Sequence, residues 1–465
     1  MKDKEDRSLL LLIIFLPLIL SLALDITPYS KSIQSYWKDL KPFYTHNNLM
    51  QWRKTASVLL RHQPWQIVLW ERMARVQYEA GEFEGVIVSL EEVEKVKPLT
   101  IDQMMQLGFS YLKVEQTQKA YAIWEKIVTM PDISVEHFSE LFGIQQSEKD
   151  WVGGYQTLIK WHELESENQA VLYHLVLSSL IFEPEKTKVL IEDIQNPNFL
   201  SIQPDLEIIL ESDNPLYRLV IAGNALSKLG EWEHAAYAYS NVTRLDPDYA
   251  EGWAFYGNAL YNSGSNGYFA FEKAITLSPK SKIARAYLAS YWRNQNDFAK
   301  SFDLLNELIE EEPEQPVWYQ EVGNTYIQAG NLDEALIAFQ KSTELAPNDS
   351  YYWINLARFC GEYRVNINEI GIPAARQALV LDEQNWEVHD LIGWMYLLLN
   401  DYTSAERFLS NAFKFNPENA LVNLHLGQLY SIQKRNELAR YYLERSIRFS
   451  EDDEILELAQ NFLSR

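Results

Sequence analysis

Pro247, Pro279, Pro313, Pro347 and Pro417 lie 32, 34, 34 and 70 residues apart, so much of this chain is written in a period of about 34 residues. A unit of that length holds two short helices and their turns. It is too small to bury its own apolar face, and stacking successive copies is what closes a core. The 465 residues therefore predict a chain that grows in one direction, and converting length into a number of compact globules does not apply.

The window before Pro347 carries Tyr319, Val322, Gly323, Tyr326, Ala335 and Phe339. Small residues at Gly323 and Ala335 let two helices approach, large ones interlock between hairpins, and the proline ends the second helix. The same register fits Leu219, Ala222, Gly223, Leu226, Ala235 and Tyr239 before Pro247. It fits Trp253, Tyr256, Gly257, Leu260 and Ala274 before Pro279, with two residues missing from the turn at 262–267. Further copies contain Arg285 and Leu305, then Trp353 and Cys360 with about two extra residues at 366–371, then His389 and Leu409, then Asn423 and Leu443. Towards the amino terminus Trp70, Met73, Ala74 and Leu90 hold register, as do Met104, Leu107, Gly108 and Trp124.

This order of residues resembles the tetratricopeptide repeat, in its membrane-anchored bacterial type. The resemblance covers most of residues 33–451, with more departures before Leu216 than after it. It implies an all-α superhelical solenoid of antiparallel helix pairs with a concave face. The expected organisation is a short tail (1–7), a membrane helix (8–24), a linker (25–32), a degenerate repeat array (33–168), a helical joint (169–215), a second array (216–451) and a capping helix (452–465). Pro184, Pro197, Pro204 and Pro215 interrupt the joint, and Ser450 is the expected N-cap of the last helix.

Residues 8–24 read SLLLLIIFLPLILSLAL, with no charge, between Lys2, Lys4 and Arg7 on one side and Asp25 on the other. As a helix the run would extend about 25 Å, slightly short of a hydrocarbon core. A retained transmembrane or signal-anchor helix between Leu9 and Leu24 is expected. The alternative is secretion after cleavage near Ala23, where Ser21 and Ala23 make a small-x-small pattern. Either way the bulk of the chain is expected on the outer side of the membrane.

The formal charge of −24 and the lack of a Lys/Arg stripe exclude a nucleic-acid partner held by phosphate neutralisation. The lone Cys360 excludes an intrachain disulfide and is expected to be a buried structural thiol. No phosphate-binding glycine loop, nucleophile elbow or H-E-x-x-H occurs, and no two of the eight histidines stand three or four residues apart. No metal, cofactor or enzymatic activity is expected. His162 and Glu163, beside Trp161, read as structural; an enzyme site in 169–215 remains the rival reading and would require a deep polar pocket there.

The residues that suggest function suggest binding. Gly223-Asn224, Gly257-Asn258 and Gly323-Asn324 place an amide at one equivalent first-helix site of three repeats, interrupted by Ser290 and Arg358. An amide both donates and accepts, so a row of them can hold an extended peptide by its backbone. The resemblance implies the same, since peptide-binding members of the family use such ladders; Gly-Asn is also common in these repeats for structural reasons alone. Phe255, Tyr261, Tyr287, Gln320 and Trp394 are further groove candidates at helical spacing. The basic residues of the family's carboxylate clamp do not recur at the matching positions, which disfavours a chaperone-tail receptor. The expected function is a membrane-tethered scaffold that binds protein or peptide partners and is capable of self-association through its aromatic faces. By family analogy, an accessory subunit of surface-polysaccharide or glycosylation machinery is the alternative.

Overall fold

The computed structural model describes residues 31–45, 48–131, 133–450 and 452–464. The expected membrane helix at 8–24 lies outside them, and no described helix is long and apolar enough to cross a membrane. Every described element is helical, and the chain divides after Pro197 into two compact units.

In the first unit, Lys31–Thr45 and Leu49–His62 open the stack around Leu40, Trp52, Ala56 and Leu59. Helix pairs follow at Ile67–Glu79 with Phe83–Glu94, Ile101–Lys113 with Thr117–Val128, and Val135–Ser147 with Trp151–Leu164. Gln169–Phe182 and Pro184–Leu190 close the unit, packing Val171 and Leu175 on Tyr155 and Leu158.

In the second unit a 3-10 turn and the helix Gln203–Glu211 lead into seven pairs. The first helices are Pro215–Lys228, Ala250–Asn262, Lys282–Asn294, Pro316–Gln328, Ser350–Glu362, Trp386–Leu398 and Ala420–Ile432. The end helix Asp453–Leu463 packs Ala459 against Leu424 and Leu443. Its N-cap is Asp452, whose carboxylate accepts from the Glu454 and Ile455 amides, while Ser450 instead bonds to the Asp452 backbone. The extra residues at 366–371 are absorbed as a π turn, Ile367–Gly371, entered through Asn366 at φ +47°.

The backbone itself repeats. A residue in the left-handed region turns each of these hairpins, at Gly81, Glu115 and Lys149 in the first unit and at Gly230, Gly264, Asn296, Gly330, Arg364, Asn400 and Lys434 in the second. Four of the ten are neither Gly nor Asn, although left-handed backbone costs such residues about 1 kcal/mol or more. Hairpin closure therefore overrides local preference there.

The repeat glycines have a definite neighbour. A Cβ on Gly108, Gly223 or Gly323 would meet the ring of Trp124, Tyr239 or Phe339, sixteen residues on in the facing helix. These rings are 1–3% exposed, and burying one contributes about 1.5–3 kcal/mol, which requires the bare backbone opposite.

In six of the repeats the first large residue has a task that apolar patterning does not show. Trp70, Trp253 and Trp353 donate their indole N–H to the carbonyls of Pro64, Pro247 and Pro347 at 2.8–2.9 Å. The Tyr319 hydroxyl donates to Pro313 at 3.0 Å, and Asn423 Nδ2 to Pro417 at 2.9 Å. His389 Nε2 lies 3.1 Å from the Glu383 carbonyl. The acceptor is always six residues back, in the turn between repeats, so a donor rather than bulk unites Trp, Tyr, Asn and His at this site. Asn423 is fully buried. Asn423→Leu should cost about 1 kcal/mol in urea unfolding, the net worth of the hydrogen bonds that this buried amide donates to Pro417 and Asn419. A loss under about 0.5 kcal/mol would mean that Arg445, which also donates to Pro417 at 2.9 Å, suffices alone.

Candidate peptide-binding face

Within the second unit, first helices of successive repeats pack directly on one another, as Ala250–Asn262 does on Lys282–Asn294 and Ser350–Glu362 on Trp386–Leu398. Second helices pack on the next repeat's first helix and make no comparable contact among themselves. The first helices therefore form the crowded inner side of this stack, and their outward positions line its face.

Asn224, Asn258 and Asn324 are all half-buried on these helices. Each has spent part of its amide inside the protein. Asn224 Oδ1 accepts from the Tyr239 hydroxyl at 2.7 Å, and Asn258 Oδ1 from Asn262 Nδ2 at 3.1 Å. Asn324 Nδ2 donates to Glu321 Oε1 at 3.3 Å. What remains for a ligand is the NH2 of Asn224 and Asn258 and the carbonyl oxygen of Asn324. Two donors and one acceptor suit the alternating groups of an extended backbone.

The aromatic candidates fall into two groups. Phe255 stacks on Tyr239 with centroids 5.4 Å apart and meets Tyr287 edge-on at 6.1 Å, so Asn224, Tyr239, Phe255 and Tyr287 form one continuous run across three repeats. Tyr261 meets Tyr291 edge-on at 5.6 Å, and Tyr291 continues to Tyr268 and Trp292. Burial raises the pKa of the Tyr287 phenol, so it faces a ligand as a neutral donor. Gln320 is placed differently: it is 5% exposed, and its Oε1 accepts from the Ser342 hydroxyl at 3.3 Å inside the hairpin. Trp394 is half-buried; it covers Gly361 and stacks on the His425 ring at 5.9 Å and 14°.

Three polar links between neighbouring first helices have no counterpart in the pattern reading. Arg293 reaches Glu321 at 2.6 Å, the same carboxylate that holds Asn324. Arg358, one of the two interruptions of the asparagine row, pairs with Glu387. His425 Nδ1 lies 2.9 Å from both carboxylate oxygens of Asp390, with both residues buried. Their partners stand 28–35 residues apart, close to one repeat, and only that recurrence hints at them.

Elsewhere, Glu163 pairs with Lys160 at 2.8 Å, and the two residues of the His162-Glu163 step form no acid/base couple. Cys360 is fully buried and burial pushes its thiol up to about 12, which removes the thiolate a nucleophile needs. Among the described residues no group of three or more His, Cys, Asp or Glu could hold a metal ion.

Stacked helix pairs at a 34-residue spacing, with a mixed amide and aromatic inner face, define a helical-repeat scaffold. Residues 293–358 match the family model of the tetratricopeptide repeat, so this segment carries repeats of that family. Protein bimA of Emericella nidulans is 27% identical over 172 residues, 37% of this chain and 21% of that protein. The human mitochondrial import receptor subunit TOM70 is 27% identical over 139 residues, 29% of this chain and 22% of its own length. The chain thus spans about a fifth of the length of these curated relatives. The crystal structure of yeast Tom70 aligns at a TM-score of 0.46 with 12% identity, covering 94% of this chain and 96% of that one.

Proposed function

We propose that this protein is a non-catalytic scaffold, tethered to a membrane by the apolar run between Leu9 and Leu24, whose second repeat array holds an extended segment of a partner protein. The observation that carries this reading is the half-spent amide row: Asn224, Asn258 and Asn324 each keep one hydrogen-bonding group on the first-helix face, beside the Phe255–Tyr287 run. Backbone bonds to such groups give affinity without a strict sequence requirement, and neighbouring rings add apolar contact. The similarity to a protein named as a receptor subunit supports a partner-holding role. The uncharged run at 8–24 and the long chain after it support an outward-facing array.

Proximity labelling from a tag at the carboxy terminus, in native membranes, tests the reading. Wild type should label a discrete set of exported neighbours, and the variant with Asn224, Asn258 and Asn324 all changed to Ala should lose them. Three hydrogen bonds at about 1 kcal/mol each amount to about a hundredfold in Kd. An unchanged neighbour set in a folded triple variant would place binding elsewhere, and labelling of cytosolic proteins alone would reverse the orientation.

A further inference from the structure

The first unit carries a separate groove of different chemistry. A cavity of about 1120 Å³ opens across the three first helices Ile67–Glu79, Ile101–Lys113 and Val135–Ser147. That volume is at the upper limit for small-molecule pockets and fits several residues of a peptide.

On one wall stand Arg72 and Arg75, one helical turn apart and both exposed. Neither makes an ion pair or hydrogen bond with any described residue. In a chain of net charge −24 that is unexpected, and the nearby acids explain it. Glu71 is held by Lys97 at 2.8 Å and by Gln103 at 2.8 Å, which keep its carboxyl below the usual range. Asp102 meets His137 Nε2 at 3.0 Å. Glu71 bonds to Lys97 and Gln103 and Asp102 to His137, so the two guanidinium groups, of which Arg75 acts on Glu71 through its charge alone, keep their hydrogen-bonding edges for something outside the chain. The remaining acid of the lining, Glu140, is on the opposite wall, where it acts on Tyr78 and adds to the effect of burial in raising that phenol's pKa.

The floor is aromatic. Tyr78, Phe83 and Phe109 meet edge to face in a triangle with centroids 5.8–6.3 Å apart, and Tyr78 and Phe109 line the cavity. Rings held this way are rigid, so an apolar side chain can dock on them with little ordering cost.

We propose that this groove binds an extended internal segment of a partner protein bearing two acidic side chains two residues apart, followed by a large apolar residue. The spacing follows from geometry. Side chains at i and i+3 of a helix stand about 5–6 Å apart, and side chains at i and i+2 of an extended strand share a face at about 6.7 Å, so two carboxylates match Arg72 and Arg75. Tyr78 stands one further turn along the same helix, so an apolar residue two positions beyond the second acid shares the face of both acids and meets the Tyr78 and Phe109 rings. This surface is separate in residues and in charge from the asparagine face of the second unit.

The test is fluorescence anisotropy on the full chain with a labelled peptide, acetylated and amidated at its ends, of pattern Glu-Ala-Glu-Ala-Phe. Saturable binding is expected, weakening at least tenfold when both Glu become Gln, when Phe becomes Ala, or in the Arg72→Glu, Arg75→Glu double variant. Both arginines are exposed, so the variant should keep its helical circular dichroism, and a Lys-for-Glu peptide should bind it better than it binds wild type. Affinity should fall with added salt. The Asn224, Asn258, Asn324 triple variant should bind the peptide as wild type does, which separates this site from the one proposed above. Equal binding of the Gln peptide, or no loss in the double variant, overturns the proposal. So does tight binding that appears only when the peptide ends in a free carboxylate, since that would assign the arginines to a chain terminus.

Discussion

Changing His425 to Ala should destabilise the second unit by about 2–3 kcal/mol, the upper part of the range for leaving a buried polar group without its hydrogen-bond partner. His425 and Asp390 are 7% and 4% exposed, on first helices of adjacent repeats, with the imidazole Nδ1 2.9 Å from both carboxylate oxygens. Truncating the ring leaves the Asp390 carboxyl buried without its donor and also removes the stacking partner of Trp394. Asp390→Asn keeps the shape and one acceptor and should cost much less. The double variant should recover part of the loss, because no uncompensated acid remains. Urea unfolding of the four proteins, with amide exchange across 386–432, measures this directly. An H425A loss below about 1 kcal/mol would show that solvent reaches Asp390 and that the pair does not link the repeats.

The second large effect is expected where two backbones touch. A Cβ on Gly267 would lie 2.1 Å from the Gly257 carbonyl oxygen and 2.9 Å from its carbon, and a Cβ on Gly257 would lie 2.9 Å from the Phe271 ring. The hairpin of Ala250–Asn262 and Tyr268–Leu277 has two residues fewer than its neighbours, and this glycine contact is how the shorter turn closes. Backbone cannot move aside as a side chain can. Gly267→Ala should therefore cost about 3 kcal/mol, the top of the overpacking range, as the helices part and Phe271 loses its cover. Gly143→Ala is the contrasting case. It sits in a helix interior with nothing within 4 Å of the new methyl, and it should stabilise by about 0.5–1 kcal/mol. Thermal and urea unfolding should move the two variants in opposite directions; a G267A protein as stable as wild type would mean that the hairpin tolerates separation.

Much of the architecture is legible in the residues because its causes are local and recur. A glycine with a ring sixteen residues later, a proline closing the second helix and a period near 34 are each a steric requirement of one hairpin. The left-handed turn is legible at Gly81, Gly230, Gly264 and Gly330 but not at Glu115, Lys149, Arg364 or Lys434, where hairpin closure imposes a backbone that the residue does not favour. The candidate face is only partly legible. Pattern places Asn224 and Gln320 on first helices alike, yet rotation of the helix leaves one half-buried with a group to spare and encloses the other beside Ser342.

By itself, then, the sequence determined the helix pairs, their order and their period, since these follow from spacing within some thirty residues. Only the tertiary structure decided which polar groups are spent inside the chain and which remain for a partner. Glu71 is taken by Lys97 and Gln103, Asp390 by His425 and Glu321 by Arg293, while Arg72 and Arg75 make no ion pair or hydrogen bond with the described residues. Those outcomes depend on distances between side chains about one repeat apart, and such distances exist only once the helices have packed.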